Sequence, residues 1–358
     1  MSPWVTVSLI ALGSAAVVGW LLPAWAMKRF VPSLEGSGPR VTNYRGRSIP
    51  TGLGAVWLVW ATGVAVVDTA LVYLVLVGGS QPETAAAVNT TLGIMGPLTL
   101  LVPGAFAFGL VDDLFGGHAV KGFRGHMGAL ARGRLTTGGL KLLGIGFLSL
   151  VAGFSAVRQV VSYRGGWMEV VSGLAAWACA ALVIALAANL VNLTDLRPGR
   201  ALKVYSVLAT IGVGLATLTV WTGGAQDVAS SPPFLLLWIG CFKLSLLALV
   251  LGPVVAVWRF DLGERAMLGD AGANAMGALA GFLLAWRSPL WLLAVLAMVL
   301  LALNLASERV SFSNVIEGTA FLRWLDGLGR LRSVVPGSEA TAETAAPDVA
   351  ARSMRDGE

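Results

Sequence analysis

Hydrophobic positions gather into nine stretches, 4–26, 52–78, 91–111, 138–156, 167–191, 201–221, 233–258, 271–287 and 289–306, separated by short polar segments. As helices of about 17–25 residues, such stretches are long enough to cross a bilayer. The pattern predicts an all-α polytopic transmembrane bundle of about nine spans. The stretch 167–191 is expected to break near its end, and only Arg287, Ser288 and Pro289 separate the last two.

Composition removes the soluble alternative. With 56% hydrophobic and 12% charged residues and a mean hydropathy of +0.78, 358 residues have too little polar surface to cover a soluble globule. Basic residues then orient the bundle, because cytoplasmic loops carry the excess of Lys and Arg. With the N-terminus outside, 21 of the 25 Lys and Arg residues fall in inside segments, so the expected topology is N-terminus out and C-terminus in. Lys28 and Arg29 follow the first apolar stretch and no basic residue precedes it, which predicts a transmembrane helix rather than a cleaved signal. Residues 1–333 form the expected membrane domain. Residues 334–358, rich in Ala, Ser, Thr, Pro and acids, read as a disordered cytoplasmic tail. Cys179 and Cys241 fall inside spans as free thiols.

Four polar clusters share the cytoplasmic side of this topology. The first, 43–54, is a Gly- and Pro-broken loop whose backbone amides, with Arg45 and Arg47, could meet an anion; the plainer reading is positive-inside charge. The second contains Asp112 and Asp113, followed by Lys121, Arg124, His126, Arg132, Arg134 and Lys141. Adjacent carboxylates at the end of an apolar run are costly without a partner, and their hard oxygens suit Mg²⁺ shared with a substrate phosphate. A loop cap paired with Arg is the alternative.

The third cluster, 189–203, places Asn189, Asn192 and Asp195 at three-residue spacing, near one face of the helix if it continues that far. Arg197, Arg200 and Lys203 follow with only one acid among them, which points to an anionic ligand, though topology asks for some of these cations. The fourth, 267–281, sets Asp270 between glycines before a small-residue helix, where unpaired N–H groups can cradle phosphate while the carboxylate takes a metal. An N-cap aspartate ahead of a closely packed helix is the plainer account. Asp68 and Lys243 lie within apolar runs, away from these clusters. Either they pair with each other or, as preferred here, each snorkels or faces an external cavity.

In order and spacing, the four clusters resemble the polyprenyl-phosphate N-acetylhexosamine-1-phosphate transferase family, which includes phospho-N-acetylmuramoyl-pentapeptide transferase. The likeness runs from about Asn43 to about Asn304. It implies a multi-pass enzyme of a bacterial plasma membrane that moves a sugar 1-phosphate from a UDP-sugar onto undecaprenyl phosphate for cell-envelope glycan synthesis, with Mg²⁺. The family's paired-Asp motif matches Asp112 and Asp113, and its helix-start Lys matches Lys141. Its Asn-x-x-Asn-x-x-Asp segment matches Asn189, Asn192 and Asp195, its Gly-Asp-x-Gly motif matches Gly269 to Gly272, and its Pro-Thr loop matches Pro50 and Thr51.

The roles this implies are catalytic for Asp112, Asp113, Lys141, Asn192 and Asp195, and metal-binding for Asp112 and Asp270. Substrate binding would fall to Thr51 and Asn189, joined on the strength of their own charge by Arg45, Arg47, Lys203, Arg197, Arg200 and Arg309, the last three of which add cations where the family has an acid and histidines and suit pyrophosphate or carboxylate. The expected partners are the membrane, a polyprenyl phosphate and a UDP-sugar, without nucleic acid; a homodimer stays open.

Three departures matter. Pro198 stands where the family carries a second Asp, 307–313 replaces a histidine-rich motif, and Ala273 replaces a serine; a tenth helix is also absent. The departures favour a second reading, a non-catalytic paralogue that binds lipid phosphate or nucleotide. A transporter would suit nine spans, but neither internal repeats nor midplane broken helices are found.

Overall fold

The computed structural model describes residues 3–77, 82–116, 122–158, 166–224 and 233–329. The tail at 334–358 lies outside them, as does the loop 117–121 with Lys121. The chain is an all-α polytopic bundle. In lipid a backbone must satisfy its own hydrogen bonds, so the apolar stretches form helices.

The helices are α1 (Pro3–Ser14), α2 (Leu22–Ser37), α3 (Val56–Val77), α4 (Pro82–Phe115), α5 (Gly122–Leu130), α6 (Thr137–Val157), α7 (Trp167–Thr194), α8 (Arg200–Gly224), α9 (Pro233–Leu262), α10 (Gly269–Ala285), α11 (Leu290–Ser307), α12 (Phe312–Gly318) and α13 (Ala320–Gly327). A π-helical turn, Ala15–Leu21, joins α1 to α2, so the first stretch continues to Ser37 as one span. Helix α7 runs unbroken to Thr194, which puts Asn189 and Asn192 within it. Among the described residues, eight helices are long and apolar enough to cross a membrane, and the protein is a multi-pass membrane protein.

The ninth expected span behaves differently. Helix α10 has 17 residues, and every one from Ala271 to Ala285 is buried. It packs against α4, α7 and α8, so its neighbours rather than lipid surround it. Small side chains permit this: a Cβ on Gly109 of α4 would lie 2.5 Å from the Asp270 carbonyl oxygen, and one on Gly277 would lie 2.7 Å from that of Ala187 in α7. Backbones meet directly where Gly and Ala line an interface.

Two of the four prolines inside the described helices, Pro97 and Pro253, are matched by tryptophans. Pro97 in α4 has no N–H for the Gly93 carbonyl, and Pro253 in α9 has none for that of Leu249. Trp286 Nε1–H donates to the Gly93 oxygen at 3.2 Å, and Trp60 Nε1–H donates to the Leu249 oxygen at 2.9 Å. Each freed carbonyl therefore gains a buried partner, as the apolar interior requires.

Two polar-side features were not foreseen. The segment 43–54, expected as a broken loop, instead takes part in a β-hairpin over 40–50, from β1 (Arg40–Thr42) and β2 (Ser48–Pro50), with Arg40 opposite Pro50. Its last strand leads into a parallel bridge between Thr51 and Met267, which ties the hairpin to the segment entering α10. The C-terminal helices α12 and α13 fold against the same end, and exposed Phe321 and Trp324 give α13 an aromatic outer face suited to a membrane interface.

Candidate functional site

Three elements bring acids, and a fourth a lysine, together at one end of the bundle. The last turns of α4 supply Asp112 and Asp113, the first turns of α6 supply Lys141, α10 begins with Asp270, and α7 ends at Asp195. Lys141 Nζ donates to Asp112 Oδ2 at 2.7 Å and also to Asp270 Oδ2. The Thr137 hydroxyl bonds Asp112, and the Asp112 and Asp270 carboxylates lie within hydrogen-bond reach of each other. Asp270 is the more open partner, its side chain 35% exposed against 17% for Asp112. A ligand would therefore meet Asp270 first.

Asp113 has a different task. Its Oδ1 accepts the Asp270 N–H at 2.9 Å and its Oδ2 accepts the Ala271 N–H at 3.0 Å. Leu268, at the N-cap position of α10, offers no side-chain acceptor, so Asp113 of α4 caps α10 from outside. Both oxygens are used on the backbone, which makes Asp113 a positioning residue for Asp270. Gly269 is required beside it: its φ is +75°, and a Cβ there would stand 2.5 Å from Thr51 Oγ1 and 2.8 Å from Asp113 Oδ2.

The α7 end completes the cluster. Asp195 accepts a bond from the Gly269 N–H, and burial, reinforced by the carboxylates of Asp261, Asp270 and Asp113, pushes its carboxyl well above the usual carboxylate range. Asn192, one turn earlier, has a buried Oδ1 with no partner among the described residues. Asp261 Oδ2 accepts the Gly199 N–H at 2.6 Å, and Asn274 Nδ2–H donates to the Asp270 carbonyl at 2.7 Å.

Several residues expected to bind substrate have other partners. Asn189 Nδ2–H donates to Asn304 Oδ1 at 2.6 Å, joining α7 to α11. Thr51 is buried against Gly269. Asn43 Oδ1 accepts the Arg45 and Arg47 N–H groups, each at 2.9 Å, so those amides are not available to an anion. Arg45 pairs with Glu264 at 3.2 Å, while the Arg47 side chain is exposed. Arg197 pairs with Glu317 of α12 and stacks on Tyr44 at 5.1 Å.

Arg200 corrects the reading most. It is buried, not solvated: Nε and Nη2 bind the two Asp326 oxygens at 2.8 and 3.0 Å, and Nη1 donates to Ser313 Oγ at 2.7 Å. Lys203 donates to the Leu325 and Asp326 carbonyls at 2.9 and 2.6 Å. These cations fasten α12 and α13 to α8, and the acids that balance them lie more than a hundred residues away in sequence. Arg309, by contrast, is exposed at the end of α11.

No known family model and no curated protein sequence matches the chain. The residues themselves therefore carry the functional argument. Among the described residues, no group of three or more His, Cys, Asp or Glu side chains is arranged to hold a metal ion, and the Lys141 ammonium bonds both Asp112 and Asp270. The donor chemistry still fits Mg²⁺: two converging carboxylates provide hard oxygens, and the unpartnered Asn192 oxygen is nearby on the same end of the bundle. Thr137, Asp261 and Asn274 belong to the cluster but were not foreseen. Asp261 and Asn274 had one signal in common, a polar side chain at the end of an apolar run.

Proposed function

We propose that this end of the bundle is the site of a phosphoglycosyl transferase, which moves a sugar 1-phosphate, an N-acetylhexosamine one, from a UDP-sugar onto undecaprenyl phosphate at the cytoplasmic face of the plasma membrane. One observation carries the reading: a lysine ammonium held between two carboxylates from different helices, at a bundle end that also gathers a buried acid and an unpaired amide oxygen. An ammonium so placed can turn from carboxylate to phosphate oxygens as charge develops on them.

An oxygen of the lipid phosphate attacks the sugar-bearing phosphorus. The bond from that phosphorus to the bridging oxygen breaks, and UMP leaves with the electron pair. The attacking phosphate is already anionic near neutral pH, so no base need remove a proton. Lys141 would steady the phosphate oxygens and Asp113 would hold Asp270 in place. Asn192 and Asp195 would shape the site, and exposed Arg309 and Arg47 would draw an anionic donor toward this end. Asp112 and Asp270 would hold Mg²⁺, which supplies neutralisation of phosphate charge when bound.

The position of Lys141 also favours a second reading, a protein that binds lipid phosphate or nucleotide without turnover, since the ammonium stands where the metal is expected. Purified protein incubated with undecaprenyl phosphate and a panel of radiolabelled UDP-sugars separates them. Magnesium-dependent release of UMP with label in the lipid supports the transferase; saturable nucleotide binding without any labelled lipid supports the second reading.

A further inference from the structure

In the opposite half of the bundle, α1 and the π-helical turn, α3, α4 and α9 enclose a cavity of about 700 Å³, including the space open to the outside. Ile94 on its wall precedes Asp112 by 18 positions of α4, which is about 27 Å at the rise of an α-helix. Its lining is almost wholly apolar, with Val64, Ile94, Phe242 and Leu246 among the contributors. Four polar side chains interrupt it, Ser14, Asp68, Thr91 and Ser245, and two of them stand out. Asp68 is 8% exposed and Ser245 5% exposed, and among the described residues neither Asp68 oxygen nor the Ser245 hydroxyl has a hydrogen-bond partner. Lys243, two positions before Ser245, makes no ion pair with Asp68 among the described residues, so the preferred expectation of a cavity-facing Asp68 describes the arrangement.

We propose that this cavity binds an apolar molecule carrying a single protonated amine. An unpaired carboxylate in such a setting is costly and either takes a proton or meets a cation. An ammonium offers three N–H donors, enough for both Asp68 oxygens and the Ser245 oxygen. The apolar lining takes the hydrocarbon body, as apolar walls with a few placed polar groups do in small-molecule pockets. A bare divalent cation would take about six or more oxygens and more negative charge than one carboxylate and the hydroxyls of Ser14, Thr91 and Ser245 provide. An alcohol could satisfy only one carboxylate oxygen. The site is independent of the transferase reading, because it shares no residue with the carboxylate–lysine cluster.

Decylamine and decan-1-ol are matched probes, since they share a chain and differ in head group. Their effect on the Tm of the purified protein should be titrated for the parent, Asp68→Asn and Ser245→Ala. Decylamine should stabilise the parent at about ten- to a hundredfold lower concentration than Asp68→Asn, the difference expected for a charge-assisted hydrogen bond. Decan-1-ol should act alike on both, and Ser245→Ala should weaken decylamine by a smaller factor. If the amine stabilises Asp68→Asn as well as the parent, or if the alcohol matches the amine on the parent, the proposal fails. The amine-against-alcohol contrast on the parent needs no variant and decides the matter even if Asp68→Asn does not fold.

Discussion

At one end of the bundle Asp112 and Asp270 share the Lys141 ammonium and Asp113 receives two backbone N–H groups, whereas in the opposite half Asp68 meets no donor among the described residues. Both regions place carboxylates in poorly hydrated surroundings. In the first the chain supplies the compensating charge itself, through contacts that link α4, α6 and α10. In the second it supplies only an apolar enclosure and a few hydroxyls. The contrast teaches how to read a buried acid: a partnered one helps to hold the helices together, and an unpartnered one marks a vacancy for a proton or a cation.

The contrast breaks first at Lys141. Lys141→Met leaves two carboxylates facing each other without a cation and should cost about 3 kcal/mol or more, as removal of one buried ion-pair partner does, with loss of transfer activity. Thermal denaturation should show Lys141→Met recovering stability when Asp270→Asn is added. A single variant as stable as the parent would mean that the ammonium holds nothing together.

Arg200→Ala should follow closely, at about 3 kcal/mol, because it strands the buried Asp326 carboxylate. Limited proteolysis should then cut between α11 and α13 faster than in the parent. Arg309→Ala is the control on the same end: its exposed charge should leave stability unchanged and slow transfer. Equal protease resistance in Arg200→Ala would show that α12 and α13 do not depend on this pair.

Asp113→Ala removes both outside acceptors from the start of α10 and should cost about 2 kcal/mol, within the range for lost caps and charged hydrogen bonds. Its activity should fall with it, since Asp270 loses its anchor; a large kcat loss at undiminished stability would make Asp113 a direct participant instead. The smallest effect belongs to Asp68→Asn, which should be neutral or stabilising by about 1 kcal/mol because it removes an unpaired buried charge. A marked drop in Tm would reveal a partner for Asp68.

The Asp195 carboxyl titrates in the folded protein above its unfolded value, so its contribution to stability falls as pH rises beyond the ordinary carboxylate range. Asp195→Asn should therefore be no less stable than the parent at neutral pH, and its advantage should shrink toward acid pH. A loss of stability that grows toward neutral pH would contradict this environment.

The helices were legible because long apolar runs admit few alternatives in lipid, and Asp112, Asp113, Asp195 and Asp270 stood out because acids at the ends of such runs are rare. What failed to show was pairing over distance. Arg200 looked like an anion binder since its own loop holds one acid, while Asp326 lies 126 residues on. Asp113 looked catalytic because nothing local reveals that the α10 backbone, more than 150 residues away, takes both oxygens. The Trp286 and Trp60 bonds to proline-freed carbonyls were equally hidden, because helix packing and not spacing brings them together. Asp68 was recognisable as a charge in an apolar run, but only the cavity shows that its partner is missing.

The central claim, that transfer occurs at the carboxylate–lysine cluster and not elsewhere in the bundle, is tested most directly by one side-by-side assay. Parent, Asp270→Asn and Asp68→Asn proteins are given undecaprenyl phosphate and the UDP-sugar that the parent uses best, and labelled lipid is counted over time. The parent and Asp68→Asn should form it at similar rates, while Asp270→Asn should lose at least about a hundredfold, the effect of about 2.7 kcal/mol of transition-state stabilisation. Undiminished transfer by Asp270→Asn, or no labelled lipid from the parent with any UDP-sugar, would contradict the account.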